Sequence, residues 1–186
     1  MPALRPEGEK QFKIAVEQIQ SYNKIVIKAG GGSRQYPNTI KKLAEKIGAS
    51  VVLSPGSTGV LPDLHPQNMH VGGSKGSICG NYAMAEGELL IVIGSRGVCQ
   101  ADCSGIGFKQ VRSVININAD LTDVTHYNKT IALQGDINAV IGNLLKTIEK
   151  VGGIYLKKKQ SWLLDCKNKK EDCKAFKNER YNLPPI

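Results

Sequence analysis

Four stretches of this sequence carry residues suited to holding a phosphate or a nucleotide. The first is Gly30-Gly31-Gly32, directly after the apolar β-branched run Ile25-Val26-Ile27. A glycine turn there brings backbone N–H groups up to a phosphate where a helix begins. The dinucleotide fingerprint G-x-G-x-x-G needs a glycine at position 35, which is Gln35, so the nicotinamide-dinucleotide reading fails at its third glycine. A different phosphate or nucleotide site remains, beside a plain tight turn chosen for positive φ. The second stretch is Gly72-Gly73-Ser74-Lys75-Gly76-Ser77, ahead of a helix. A triphosphate loop needs its glycine before its lysine, and Gly76 follows Lys75, so contact between a helix N-terminus and a diphosphate is the reading left.

The third stretch is Gly94-Ser95-Arg96, after the most apolar run in the chain, Leu89–Ile93. Ligands of parallel sheets sit beyond the carboxyl ends of the strands, where Arg96 suits a phosphate or carboxylate. A structural ion pair explains it equally well. The fourth is Asn116–Asp120 with Gly135-Asp136. A polar or acidic residue just past a strand accepts hydrogen bonds from a ribose, and helix capping accounts for both aspartates as well.

General acid–base chemistry has poor candidates. No paired carboxylates, G-x-S-x-G turn or cysteine–histidine arrangement stands out. His65 and His70 read as hydrogen-bonding residues of a long loop, and His126 stands apart. A zinc site needs about four closely spaced ligands. Cys99-x3-Cys103 is one loose pair, and Cys79, Cys166 and Cys173 lie far from it in sequence, so no metal site is expected.

The elements that must position these residues alternate in type. Helices are expected over Gln11–Gln20 (Phe12, Ala15, Val16, Ile19), from Pro37 through Ile40, Leu43, Ala44 and Ile47, and over Ser77–Glu86 with Ile78 and Tyr82 on one side. A further helix follows Asp136, its expected N-cap, and carries Ile137, Val140, Ile141, Leu144, Leu145 and Ile148. Strands are expected at Ile25–Ala29, Ser50–Leu53, Leu89–Ile93, Ser113–Ile117 and Lys129–Leu133. Ser54–Gly73 reads as one long, proline-rich loop. This alternation predicts an α/β fold with three αβα layers around a mostly parallel, Rossmann-like sheet of about six strands.

With 186 residues, one compact domain is expected. Residues 1–152 are assigned to it, and residues 153–186 to a basic, amphipathic helical extension. The net charge is +9; Lys157–Ile186 holds nine Lys/Arg and four Asp/Glu, a balance of +5. The extension reads as a helix with a solvated Lys-rich face and a narrow stripe of Trp162, Cys166, Cys173 and Phe176, docking weakly on the core or on an absent partner. Nucleic acid is not expected as a partner, because no recognised motif accompanies the charge. No apolar run reaches the roughly 20 residues that span a bilayer. An odd cysteine count and an N-terminus without an apolar h-region lead us to expect a reducing cytoplasm.

The order of motifs resembles the central domain of thiamine-diphosphate-dependent enzymes. It runs AGGGS (Ala29–Ser33), LPDLHPQN (Leu61–Asn68), GGSKGS (Gly72–Ser77), GNYAMAEGELLIVIGSR (Gly80–Arg96), ININAD (Ile115–Asp120) and QGDINAVIGNLL (Gln134–Leu145). The resemblance spans about Arg5 to Lys150 and is nearest to the acetolactate synthase and trihydroxycyclohexane-dione hydrolase types. It implies a parent enzyme with three α/β modules, acting as a carbon–carbon lyase, synthase or hydrolase on 2-oxo acids or cyclic diones. Thiamine diphosphate and Mg²⁺ would be held by the N- and C-terminal modules, which this sequence does not contain, in a homo-oligomer. The chain alone would then be a structural, nucleotide-binding-like domain without turnover.

In flavin-containing members the central domain binds FAD at the strand ends. Matched residue by residue, the implied cofactor positions are Gly31, Gly32, Lys75, Gly94, Ser95, Arg96, Asn118, Asp120, Gly135 and Asp136, with no catalytic residue among them. The sequence departs from the family at Gly94–Cys99, where Gly-Ala-Arg-Phe-Asp-Asp has become Gly-Ser-Arg-Gly-Val-Cys. It departs again at Asn116–Ala119, where Asp-Ile-Asp-Pro is Asn-Ile-Asn-Ala. A stand-alone module binding FAD or ADP is the alternative.

Overall fold

A computed structural model describes residues 8–96, 106–124 and 130–181. Cys99, Cys103, His126 and the terminal Leu183-Pro184-Pro185-Ile186 lie outside these residues. The elements run α1 (Glu9–Ser21), β1 (Ile25–Ala29), α2 (Pro37–Ile47), β2 (Ser50–Leu53), β3 (Asn68–Val71), α3 (Ile78–Glu86), β4 (Leu89–Ile93), β5 (Ser113–Asn118), α4 (Leu121–Val124), β6 (Thr130–Gln134), α5 (Ile137–Lys150) and α6 (Gln160–Tyr181). The strands form one sheet in the order β3-β2-β1-β4-β5-β6. All five pairings are parallel. The expected Rossmann-like α/β architecture is therefore the observed one.

Strands buried on both faces must be apolar on both, and β1, β2, β4 and β5 are buried along their whole length. One face presents Ile25, Ile27, Val51, Leu53, Leu89, Ile91, Ile93, Ile115 and Ile117 to the apolar stripes of α1, α2 and α5. The other presents Val26 and Val52 to α3 and α6. Leu90, Val92 and Val114 on that same face meet Phe108 and Val111.

Local chemistry sets the helix ends. Pro37 opens α2, where its missing N–H costs little. Gly48 closes it at φ 64°, a left-handed position that suits glycine. Ser77 and Asp136 cap α3 and α5 by accepting from Gly80 N and Ala139 N.

Three features differ from the sequence expectation. The stretch Ser54–Gly73 contains β3, a short edge strand. Only Asn68 and Met69 of it are fully buried, its register on β2 shifts between Val51 and Leu53, and His70 sits at φ 63°. So irregular a strand leaves no apolar run or alternation to read. In α3 the buried residues are Cys79, Gly80, Ala83 and Met84, whereas Ile78 is 59% exposed. Gly80 sets this rotation: a Cβ there would stand 2.5 Å from the carbonyl oxygen of Val71, so only glycine lets the helix start this close to β3.

The third difference is the depth at which the C-terminal helix seats. Trp162 is 2% exposed and donates its indole N–H to Ile25 O at 3.1 Å, while stacking beside Tyr82. Cys166 is fully buried next to it. Just ahead, a 3₁₀ turn at Leu156–Lys159 buries Lys159, whose ammonium donates to Ile19 O and Tyr22 O at the end of α1. The one indole and one lysine make this helix a packed part of the second layer.

Gly30 belongs to the floor of the sheet's carboxyl edge. A Cβ there would lie 2.3 Å from Gly94 O and 2.5 Å from Ser95 Cα, both backbone atoms that cannot step aside. Gly30→Ala is expected to cost about 3 kcal/mol. Gly31→Ala, whose new methyl group meets nothing nearer than 4.0 Å, is expected to stay within about 0.5 kcal/mol. Urea unfolding of the two variants checks the contrast, and equal losses would refute it.

Burial lowers the Lys159 ammonium to about 8, Glu88 opposing and Lys158 assisting. Between about 8 and the ordinary 10.5 the unfolded chain holds the proton that the folded chain has released, so stability rises with pH across that window. The thermal midpoint of the wild type should therefore climb relative to that of Lys159→Met from pH 8 to 10.5. A pH-independent difference would show that the charge is not penalised by burial.

Candidate functional site

In a parallel sheet the crevice for ligands opens where connections leave in opposite directions. Here β1 leads by α2 to β2 on one side, and β4 leads to β5 on the other. The two strands are neighbours in register from Ile25–Leu89 to Ala29–Ile93. Beyond their carboxyl ends lies a crevice of about 600 Å³.

Its floor is made by the turns after the strands, whose amides extend the sheet by one more bond each. Gly30 N donates to Ile93 O at 2.8 Å, Ser54 N to Ala29 O at 2.9 Å, and Gly94 N to Ile117 O at 2.9 Å. Gly135 N does the same to Asn118 O at 3.0 Å. Gly32 N donates to Gly94 O at 3.0 Å, so this amide, expected to face a phosphate, ties the first turn to the third. Gly31, Gly32, Gly94, Ser95, Arg96, Asn118 and Asp136 all line the crevice. The resemblance thus assembles seven of its ten positions in one place.

The other three stand elsewhere. Lys75 is exposed on the Gly72–Gly76 loop, beside a separate depression of about 240 Å³ that shares Pro55 with the crevice. Gly135 is buried in the turn beneath Asp136. Asp120 is exposed and accepts from both the backbone and the hydroxyl of Thr122, at 2.9 and 2.7 Å. Those two bonds, the hydroxyl's first, hold its carboxyl below the usual range.

The polar side chains around the crevice are largely committed to one another. Asn118 donates to Ser95 O at 3.1 Å and accepts from Asp120 N at 3.3 Å, bracing the third turn against the fifth strand. Asp136 accepts from Ala139 N at 2.9 Å through Oδ1 and from the Tyr36 hydroxyl at 2.9 Å through Oδ2. Thr39 and Asn138 add a second bond between the starts of α2 and α5, at 2.7 Å. Arg96, exposed, is the cationic side chain among the crevice's described lining residues, which also include Asp123 and Asp136.

Sequence reasoning did not single out Tyr36, Asp123 or the Ser54–Gly56 turn, which also line the crevice. Ser54–Gly56 had a usable signal, because it directly follows a parallel strand. Tyr36 and Asp123 had none, since they stand several residues past their strands, at the N-cap of α2 and within α4. Among the described residues, no group of three or more His, Cys, Asp and Glu is placed to hold a metal ion. No helix among them is long and apolar enough to cross a membrane.

The bond from Tyr36 to the Asp136 carboxylate raises the phenol above its ordinary value of 10.0, with burial and the aspartate's charge adding to it. Asp136→Asn is expected to bring Tyr36 back toward that value, as followed by NMR of ring-labelled tyrosine with Tyr36→Phe for assignment. An unchanged titration would mean that the bond is absent in solution.

Comparison with known proteins agrees with this geometry. The chain is 27% identical over 143 residues to the acetolactate synthase isozyme 1 large subunit of Escherichia coli (strain K12), covering 76% of this chain and 25% of that protein. It is 30% identical over 144 residues to the acetolactate synthase large subunit of Buchnera aphidicola subsp. Schlechtendalia chinensis, covering 76% and 24%. It is 28% identical over 169 residues to the probable acetolactate synthase large subunit of Methanocaldococcus jannaschii, covering 88% and 28%. The chain therefore spans about a quarter of the length of these relatives. Residues 12–144 match the family profile described as "Thiamine pyrophosphate enzyme, central domain". By that match, which takes in every strand and the switch-point crevice, the chain belongs to the family of thiamine pyrophosphate enzyme central domains.

Proposed function

We propose that this chain serves as the central module of an acetolactate synthase-like enzyme, with residues 1–152 as the domain and residues 153–186 as a helical extension leading toward a cofactor module. In this reading it gives the parent enzyme structure and a nucleotide-shaped crevice, and turnover belongs to modules before and after it. The observation that carries the reading is the match over residues 12–144, set beside relatives four times as long.

Thiamine diphosphate and Mg²⁺ do not fit the described residues of this chain. Gln134-Gly135-Asp136 is the nearest approach to a diphosphate–metal turn, and its aspartate is spent on Ala139 N and the Tyr36 hydroxyl. We therefore place both cofactors in the flanking modules and assign this chain no part in the chemical step. The parent would work on 2-oxo acids as a homo-oligomer in the cytoplasm.

As a further part of this reading, the crevice would take an adenine nucleotide, as ADP or as part of FAD. The volume of about 600 Å³ lies in the range of small-molecule sites. Gly31 stands at the start of the 3₁₀ turn Gly31–Ser33, and Arg96 supplies a guanidinium for a diphosphate. Asn118 and Asp136 would orient the ribose side by way of groups they already hold in place. The nucleotide here would be a structural ligand.

Calorimetry of the purified chain with ADP and with FAD tests the crevice. Binding weakened at least tenfold by Arg96→Ala, with the fold intact by circular dichroism, is the expected result. Absence of heat with both ligands at sub-millimolar concentration would leave the domain as scaffold alone. The central-module reading has its own test. The chain incubated with pyruvate, thiamine diphosphate and Mg²⁺ should form no acetolactate, and turnover by the chain unaided would overturn it.

A further inference from the structure

The second layer contains three thiols that neither the crevice nor the proposed function uses. Cys79 lies in the first turn of α3, and Cys166 and Cys173 lie on α6, two helical turns apart on one face. All three are free thiols. Cys79 and Cys166 are buried in the same apolar cluster, and Cys173 packs against that cluster from its edge. Cys173 lies one helical turn beyond Lys169, whose backbone faces the Cys79 thiol.

The surroundings hold the two helices in this register. The Cys79 thiol also reaches Lys169 O at 3.9 Å, so the backbone of α6 sits directly over it. Lys169 lies over the Tyr82 ring at 5.6 Å, and Lys170 donates to His65 O at 3.1 Å. Trp162 anchors the start of α6 under the sheet. Cys173 is half-buried and borders a surface depression with Ile78, Lys169 and Asp172, whereas Cys79 is 5% exposed. One thiol is thus open to a small oxidant and its neighbour is shielded, which is the arrangement of an attacking and a resolving cysteine.

We propose that Cys79 and Cys173 form a dithiol–disulfide pair, closed by a low-molecular-weight disulfide, which covalently ties α6 to α3. The Cys173 thiolate attacks one sulfur of the small disulfide, forming a mixed disulfide and releasing one equivalent of small thiol. The Cys79 thiolate then attacks the Cys173 sulfur, forming the Cys79–Cys173 bond and releasing the second equivalent. Two protein thiols are oxidised, one small disulfide is reduced to two thiols, and the two protons leave on those thiols. Burial, then the bond to Cys173, pushes the Cys79 thiol up to about 12, while Lys169 and Lys170 draw it down. The second step is accordingly the slow one. Closure joins the helix that leads out of the domain to the layer beneath it, and the loop it closes spans the β4–β6 half of the sheet.

The test uses the full 186-residue chain with oxidised glutathione as the probe. Mass spectrometry and non-reducing peptide mapping should find a Cys79–Cys173 linked peptide as the main internal product, lighter by two hydrogens and reversed by dithiothreitol. Linkage should be lost in Cys173→Ser. In Cys79→Ser, Cys173 should stop at the glutathione adduct. Should Cys79→Ser fail to fold, the half-exposed Cys173→Ser variant with a thermal scan decides: oxidation raises the wild-type midpoint and leaves the variant's unchanged. Glutathionylation of Cys173 without closure, or linkages confined to Cys166, Cys99 or Cys103, would overturn the pairing.

Discussion

The structure depends on a contact between two stretches of bare backbone. At the carboxyl edge of β1 and β4, Gly30 and Gly32 lie against Gly94 and Ser95 so closely that a methyl group on Gly30 or on Gly94 would overlap main-chain atoms. No side chain could hold two turns at this separation. The contact lets both turns donate into the sheet's hydrogen-bond ladder before the chain departs to opposite sides. A crevice follows necessarily, because the two connections diverge from one point. Its floor is rigid for the same reason: its amides are engaged in holding the strands together.

That use of the backbone bears on what the crevice is for. A loop that cradles phosphate needs amides left free to point at a ligand. Here Gly30, Gly32, Gly94 and Gly135 each spend their N–H on a carbonyl of a neighbouring turn or strand. Asn118 and Asp136 likewise serve the turns and helix starts around them. Much of the polar character of the site is therefore structural, with Arg96 as its cationic group. This suits a domain that supports an enzyme whose chemistry lies in other modules.

The two faces of the sheet are closed in different ways. On one, three helices with broad apolar stripes cover a nearly uninterrupted aliphatic surface. On the other, α3 is short and packs this close to β3 because residue 80 is glycine, and a second helix completes the layer. The C-terminal helix supplies it with Trp162 and Cys166. Burying an indole offsets the low overall apolar content of this helix, since one large aromatic side chain outweighs several small ones in area removed from water. Lys28, in the middle of β1, shows the same economy: its amine donates to Leu53 O and Gly72 O and links β1 to the edge of the sheet beyond β2.

The fold class, most of the element order and two helix starts could be read from the sequence, because they rest on signals within a few residues: β-branched runs, 3.6-residue periodicity, and Asp136 and Pro37 at helix starts. The resemblance located the crevice for a related reason, as the motifs that match are the turns directly after strands. The edge strand β3, the rotation of α3 and the deep seat of α6 were not legible. Each is set by a contact with a different element: Val51 and Leu53 for β3, Val71 for Gly80, Ile25 for Trp162. In the same way the sequence proposes ten cofactor positions, and only the sheet order decides that seven share one crevice while Lys75, Gly135 and Asp120 do not. Local spacing specifies which element a residue occupies; which residues meet is decided by strand order and close backbone approach, and those are properties of the assembled sheet.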